Sequence, residues 1–447
     1  MNRTLSSVAL LTLTACATSP SPGHGERWAG PESPPSAPGV READAGGAPV
    51  ASMSLTQALE LADREHQDLA AWRALVRAAE GWQEQAGTWP NPELIVRMEN
   101  VPVNRGVGGQ GSLSNQGNYI AGVAQDFPLG GRIGAAEEVA ARELERERAA
   151  LDVRRAEVHA AVRLAHAQAV LAARERTLRD EVVALTSFVV SVARARVAAG
   201  DATGAEVDRA ELEAIEASVF LERAQAAEAL ALRGLVAATG ASALRVASVS
   251  GDPAAAVDLD SVEPLLALAE RSPTLRLARA EVEAAAARVA LAQSERWPDL
   301  GVELLYRRLE LTNQHSVDAG LRIGLPIFDR RAGSITARRA ELDAAGARER
   351  GARTAIQQEL AGVYEQLVLG SSLARRLAAD AIPRAERAVG TLEARWRAGD
   401  LSLADVAPSR RVLLELRLTH LEALRSVAQH TAALERLLGP GARGPER

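Results

Sequence analysis

Few side chains in this 447-residue chain are placed to do chemistry. The one thiol, Cys16, closes the run Leu13-Thr14-Ala15-Cys16, behind Arg3 and an apolar stretch from Val8 to Leu13. That layout reads as a secretory signal, and with no second cysteine no disulfide within the chain is possible. Two carboxylates, Glu206 and Asp405, stand three residues after Thr203 and Ser402. At that spacing an acid accepts a hydrogen bond from the free N–H at a helix start. The imidazoles His66, His159, His166, His315, His420 and His430 are scattered without paired ligand spacing, and Met is as sparse. The sequence offers no metal site, no cofactor site, no nucleophile elbow, no phosphate loop and no cluster of catalytic polar groups, so it does not read as an enzyme.

The two carboxylates belong to a segment that occurs twice. Ala195 to Val207 returns 199 positions later as Ala394 to Val406. Each copy reads as a helix ending at a glycine, a tight turn and a new helix. Gly200 and Gly399 can take the left-handed conformation that closes a helix. Arg196 and Asp201 flank the first glycine as Arg395 and Asp400 flank the second. Farther out, Trp89-Pro90 matches Trp297-Pro298, Phe127-Pro128-Leu129 matches Leu325-Pro326-Ile327, and Gly240 matches Gly439. A repeat this long implies duplication of a whole unit. The copies are 54–240 and 262–439, with 241–261 between them and a tail at 440–447. Residues 1–16 form the signal segment, and the Pro/Gly/Ser-rich stretch 17–53 reads as a disordered tether. The signal's last four residues resemble a bacterial lipoprotein lipobox, with Cys16 as the lipidated first residue and Ala17 consistent with outer-membrane sorting. The alternative is an ordinary cleaved signal with an incidental cysteine.

Each copy predicts two strands, about 93–99 and 119–127 in the first and about 299–307 and 316–325 in the second. Leu300, Val302, Leu304 and Tyr306 share one face, as do Val317, Ala319, Leu321, Ile323 and Leu325, while small and charged residues take the other, with Leu305 the exception. Such alternation fits a membrane β-barrel, and it equally fits a half-buried soluble hairpin. Between the strands and the turn, 132–199 reads as one helix, about 100 Å long at 1.5 Å per residue. Residues 55–88 read as a single helix, and 203–238 with 262–296 form the return path. Seams spaced four and three run through Ile356, Leu360, Val363, Leu367, Gly370, Ala374, Leu377 and Ala381, the pattern of left-handed supercoiling.

Composition agrees with long helices: aromatics are 3% and the formal charge is -6. A mild negative charge with Arg and Glu interleaved gives no case for nucleic acid. No apolar run of about 18 residues follows the signal, so no spanning helix is expected. Four strands cannot close a barrel, and open edges are not tolerated in lipid. A membrane reading therefore requires several copies, eight strands for two chains or twelve for three.

The two repeats, the paired strand hairpins and the two Arg-x-x-x-Gly-Asp turns resemble the TolC-like outer-membrane factors over about 55–439. Asn91-Pro92-Glu93-Leu94, Asp126-Phe127-Pro128-Leu129-Gly130-Gly131-Arg132 and Leu325-Pro326-Ile327-Phe328-Asp329-Arg330 are similar to the CzcC-like heavy-metal efflux branch. The resemblance implies a mainly α, α+β membrane fold. In it, tandem-duplicated long helical hairpins form a periplasmic α-barrel, and four strands per chain contribute to a trimeric twelve-stranded outer-membrane β-barrel. It implies a passive exit duct of a tripartite system, with a periplasmic adaptor and an inner-membrane RND pump as partners and outer-membrane lipid around the barrel. The cargo implied is heavy-metal cations, the alternatives being drugs or a polypeptide of type I secretion. A coiled-coil scaffold lipoprotein without a pore is the reading of another class. Arg196, Gly200, Asp201, Arg395, Gly399 and Asp400 would then be adaptor-docking tips. Asp405 and Glu206 would be aperture candidates, or else only helix caps. Trp89 and Trp297 would be membrane-interface anchors, or else packing at helix ends.

Overall fold

The computed structural model describes residues 52–99, 117–241, 244–252, 261–310, 312–398 and 400–439. Cys16, most of the expected tether, the loop between the first two strands, Gly399 and the tail lie outside the described residues.

The first copy opens with α1 (Leu55–Glu65) and α2 (Gln67–Ala86). Ser54 starts α1 through a reciprocal cap: its N–H donates to Gln57 Oε1 at 2.9 Å and its Oγ accepts from the Gln57 N–H at 3.3 Å. The single helix expected over 55–88 is broken at His66, whose ψ of 117° leaves the helical region. The break is where Gly240 crosses; a Cβ there would lie 2.8 Å from His66 Cα, so the two backbones touch. Strands β1 (Glu93–Glu99) and β2 (Asn118–Pro128) follow, then α3 (Arg132–Ala198), 67 residues without interruption, and α4 (Gly204–Thr239). The second copy runs α5 (Glu263–Ala269), α6 (Pro273–Ser294), β3 (Asp299–Leu309), β4 (Gln314–Ile323), α7 (Ala332–Arg376), α8 (Ile382–Arg397) and α9 (Leu403–Leu438).

Its descending rod differs from α3. A π turn, Leu377–Ala381, joins α7 to α8, with the Ile382 N–H bonded to the Leu377 carbonyl. Pro383 follows directly. A proline ring clashes with the carbonyl four residues back, and one inserted residue moves that carbonyl aside. The heptad seam passes through this stretch and gives no hint of it; Pro383 is the signal.

The long helices α3 and α7 each pass through two layers. Near the strands the contact order is α2, α3, α6, α7; near the turns it is α4, α3, α9, α8. Four helices thus stand side by side at either level, with open sides at both ends of the row. The cores lie where the layers meet. Ala58, Ala62, Leu69, Val158, Val162 and Leu235 gather in one, and Leu360, Leu367, Val427 and Leu434 in another. Gly370 lets α7 approach α9 closely; a Cβ there would lie 3.3 Å from Val427 Cγ2. Met53, inside the expected tether, is only 3% exposed and belongs to the first core. It pairs in parallel with Val249: the Met53 N–H donates to the Ser248 carbonyl at 3.0 Å, and the Ser250 N–H to the Met53 carbonyl at 3.1 Å. Arginines of α9 tie the helices of the row near the turns together. Arg411 meets Glu213, Arg417 meets Glu181 and Glu386, and Arg425 meets Glu175, at 2.6–3.3 Å.

The four strands form one antiparallel sheet in the order β1-β2-β3-β4. Its middle seam pairs β2 of the first copy with β3 of the second, Tyr119 opposite Arg308 and Phe127 opposite Leu300. Neither copy completes the sheet alone, and β1 and β4 are left as edges.

Candidate functional site

The register separates the sheet into two unlike faces. Leu94, Val96 and Met98 lie beside Tyr119, Ala121, Val123 and Phe127, then Leu300, Val302, Leu304 and Tyr306, then Val317, Ala319, Leu321 and Ile323. Most of this face is open to solvent, with Leu94 76% exposed and Leu321 equally so. Phe328, just past β4, is 99% exposed. A continuous apolar surface of this kind is not kept in water without a cover. From Phe127 to Tyr119 is about 27 Å along the strand, or roughly 20 Å upright at a tilt of about 40°, comparable with the apolar band of a membrane barrel.

The opposite face carries charge arranged in pairs. Arg307 reaches Asp318 at 2.8 Å and Glu99 at 3.2 Å, and Arg322 reaches Asp126 at 3.0 Å. The large apolar members of this face are Ile95, Ile120, Leu305 and Leu309; Leu305 packs over Gly122, where a Cβ would lie 2.7 Å from its Cδ2. Among the described residues no helix is long and apolar enough to cross a membrane, and no group of three or more His, Cys, Asp or Glu could hold a metal ion. His166 is buried, and burial pushes its imidazole below the usual range.

At the sheet's helical border the matched tryptophans part company. Trp89 packs edge-on against Phe127, an apolar-face residue, with centroids 6.1 Å apart. Trp297 lies over Gly130, whose φ of +68° excludes a side chain that would collide with the indole. The cleft beside Trp297 is lined by Asp126 and Arg322 of the charged face. Both rings are exposed. Trp89 therefore borders the apolar face and Trp297 the polar one, a difference their identical sequence setting conceals. Arg132 and Asp299 pair at 2.8 Å at the same border.

The duplicated turns lie at the far end. Gly200 has φ +82°. The Asp201 N–H donates to the Arg196 carbonyl at 2.9 Å, and the Gly200 N–H to the Val197 carbonyl at 3.0 Å, so the last carbonyls of α3 are satisfied in a Schellman turn. The Asp400 N–H bonds the Arg395 carbonyl at 3.0 Å in the same manner. All of Arg196, Gly200, Asp201, Arg395 and Asp400 are exposed.

The two acids behave differently. Asp405 accepts from the Ser402 N–H at 2.9 Å and from the Ser402 Oγ–H at 2.7 Å. The Ser402 hydroxyl, then its N–H, hold the carboxyl below the usual Asp range. The matching cap at Thr203 does not form: Thr203 makes no side-chain cap bond, and Glu206 reaches back to the Arg196 guanidinium at 3.3 Å. The longer Glu spans the turn, whereas the shorter Asp stays at its own helix start. Arg196 Nη2 also donates to the Asp201 carbonyl, at 3.2 Å. Sequence reasoning also missed an aromatic contact between the hairpins, Phe188 edge-on to Trp396 at 5.8 Å. No spacing rule could have joined residues so far apart.

Comparison with known proteins agrees with this geometry. The family described as "Outer membrane efflux protein" matches residues 266–440. The chain is 27% identical over 390 residues to the cobalt-zinc-cadmium resistance protein CzcC of Cupriavidus metallidurans, covering 87% of this chain and 90% of that one. It is 31% identical over 297 residues to the nickel and cobalt resistance protein CnrC of the same species, covering 66% and 68%. The crystal structure of the outer membrane protein VceC from Vibrio cholerae superposes with a TM-score of 0.68 over 86% of this chain and 96% of that chain, at 21% identity. At that identity the likeness carries the fold.

Proposed function

This chain belongs to the outer membrane efflux protein family, and from that premise we propose that three copies assemble into the exit duct of a tripartite efflux system. The observation that carries the reading is the exposed apolar face of the sheet, backed by a charged face. Lipid covers the first and water fills the second. The open edges β1 and β4 leave unpaired backbone that lipid cannot satisfy, so each β4 pairs with β1 of the next copy. The helical rows support the same closure. The outer helices α4 and α7 leave Leu230, Leu369 and Leu373 exposed at similar distances from the turns, and these meet across the joint between copies. Three copies give twelve strands above twelve helices at each level, a duct of even width.

The cargo is heavy-metal cations, the class named for both resistance proteins above. The duct selects little itself and relies on an inner-membrane RND pump and a periplasmic adaptor. The adaptor meets the turn residues Arg196, Gly200, Asp201, Arg395, Gly399 and Asp400. Asp405 and Glu206 line the aperture. Trp89 anchors the periplasmic membrane interface, and Trp297 steadies the same border from the polar side. Cys16 carries the lipid that holds the N-terminus to the outer membrane.

Deleting the chain tests the cargo. Sensitivity to zinc, cobalt, cadmium or nickel is expected, without change against a drug panel; sensitivity to drugs alone would overturn the metal reading. Purified protein should run as a heat-modifiable trimer in detergent and show single-channel conductance in planar bilayers. Absence of both would favour the pore-less scaffold.

A further inference from the structure

The apolar face of the sheet has one charged interruption. Apart from Gln125, Arg308 and His315, every strand position on that face is aliphatic, aromatic or methionine. Arg308 and His315 are direct cross-strand partners, and Tyr119 stands opposite Arg308 on the other side. All three lie in the last row before the hairpin turns, at the end of the sheet away from the helices. Tyr306 stacks on His315 with centroids 5.8 Å apart, and its hydroxyl is hydrogen-bonded to His315 Nδ1. Among the described residues one carboxylate lies beside Arg308, that of Glu310 at 3.1 Å, beyond the strand.

A cation on a lipid-facing strand is tolerated only near the membrane boundary, where its cost falls away. Aromatic rings with polar tips favour the same level. The row therefore sits among headgroups. A guanidinium offers paired N–H donors that match a phosphate, and the imidazole and phenol beside it add hydrogen bonds. We propose that Arg308, His315, Tyr306 and Tyr119 form a binding site for the phosphate of a phosphorylated glycolipid in the outer leaflet, one site per copy. The inference rests on the duct reading, which places this end of the sheet outermost.

The test uses the full assembled protein in vesicles of a neutral, phosphate-free galactolipid. Vesicles carry bisphosphorylated lipid A, dephosphorylated lipid A or neither, and a fourth sample adds inorganic phosphate in solution. The phosphorylated lipid alone should raise the temperature at which the assembly dissociates. In Arg308→Gln/His315→Gln, association of the phosphorylated lipid should weaken by at least roughly fivefold, the share of the arginine's charge alone, with the thermal shift lost, while Arg308→Lys keeps most of it. Equal stabilisation by the dephosphorylated lipid, by inorganic phosphate, or in the double variant would overturn the site. If the double variant fails to assemble, the lipid comparison on the intact protein decides alone. Conductance in the same vesicles separates the two readings: without it the duct fails, and with it but no phosphate dependence only this site fails.

Discussion

The two long hairpins descend from one sequence, yet they hold themselves together in opposite ways. In the first, Arg194 of α3 pairs with Glu211 of α4 at 2.6 Å. At the matching positions of the second, Glu393 of α8 pairs with Arg410 of α9, also at 2.6 Å, with the charges exchanged. The second rung is the more enclosed, and Glu393 takes Arg397 as well. The first hairpin has an unbroken 67-residue rod and closes its turn through Arg196 and Glu206. The second has a π turn, Pro383 and, inside α9, Pro408, and it confines its acid to a helix cap. Duplication preserved the positions of contact while the bonding at them diverged. One hairpin became a stiff strut, and the other a rod with built-in irregularities.

That contrast can be broken experimentally, most forcefully at the acids. Asp405→Ala should raise single-channel conductance severalfold in planar bilayers. Glu206→Ala, whose acid is engaged by Arg196, should change it much less. Equal effects would erase the distinction between the hairpins, and an unchanged Asp405 variant would remove the aperture role. Acid titration sharpens the same point. The Asp405 carboxyl is held below its usual range, so its cap is fully present above the ordinary Asp range and is lost only as pH falls through the lowered value. Conductance should therefore stay constant through the ordinary Asp range and rise only in stronger acid, and Ser402→Ala should move that rise to higher pH.

Next in size is Gly200→Val. Nothing crowds the position, so the cost is the left-handed backbone itself, about 1–2 kcal/mol. Thermal dissociation of the assembly would register it. The rungs come last. Arg410→Glu should destabilise by about 1 kcal/mol, since it sets two acids together in a partly enclosed place, whereas Arg194→Glu should cost less than about 0.5 kcal/mol. Exchanging both residues of the first rung, Arg194→Glu with Glu211→Arg, should restore the loss, because the second hairpin already has that polarity.

Much of the architecture was legible in the residues. Period-two alternation marked all four strands, because each has one apolar and one polar face. The Gly-Asp turns announced themselves because a left-handed glycine is a local requirement. What stayed hidden depends on distant neighbours. The break at His66 exists because Gly240 crosses there, and the failed cap at Thr203 because Arg196 competes for Glu206. The facing of Trp297 follows from the pairing of β2 with β3, which no local pattern encodes. The exchanged rung was written in the sequence at an offset of 199. It escapes notice because a search for likeness passes over positions where opposite charges do the same job.

The clasp at Met53 sets a timetable. Its partners Ser248 and Ser250 lie almost 200 residues downstream, so a chain crossing the inner membrane N-terminus first presents Met53 long before anything exists to receive it. Until the whole first copy has emerged, the apolar pocket formed with Val158 and Leu235 stays open. Closing so distant a contact is slow compared with winding a helix. The core around Met53 is thus among the last parts of the first copy to be completed.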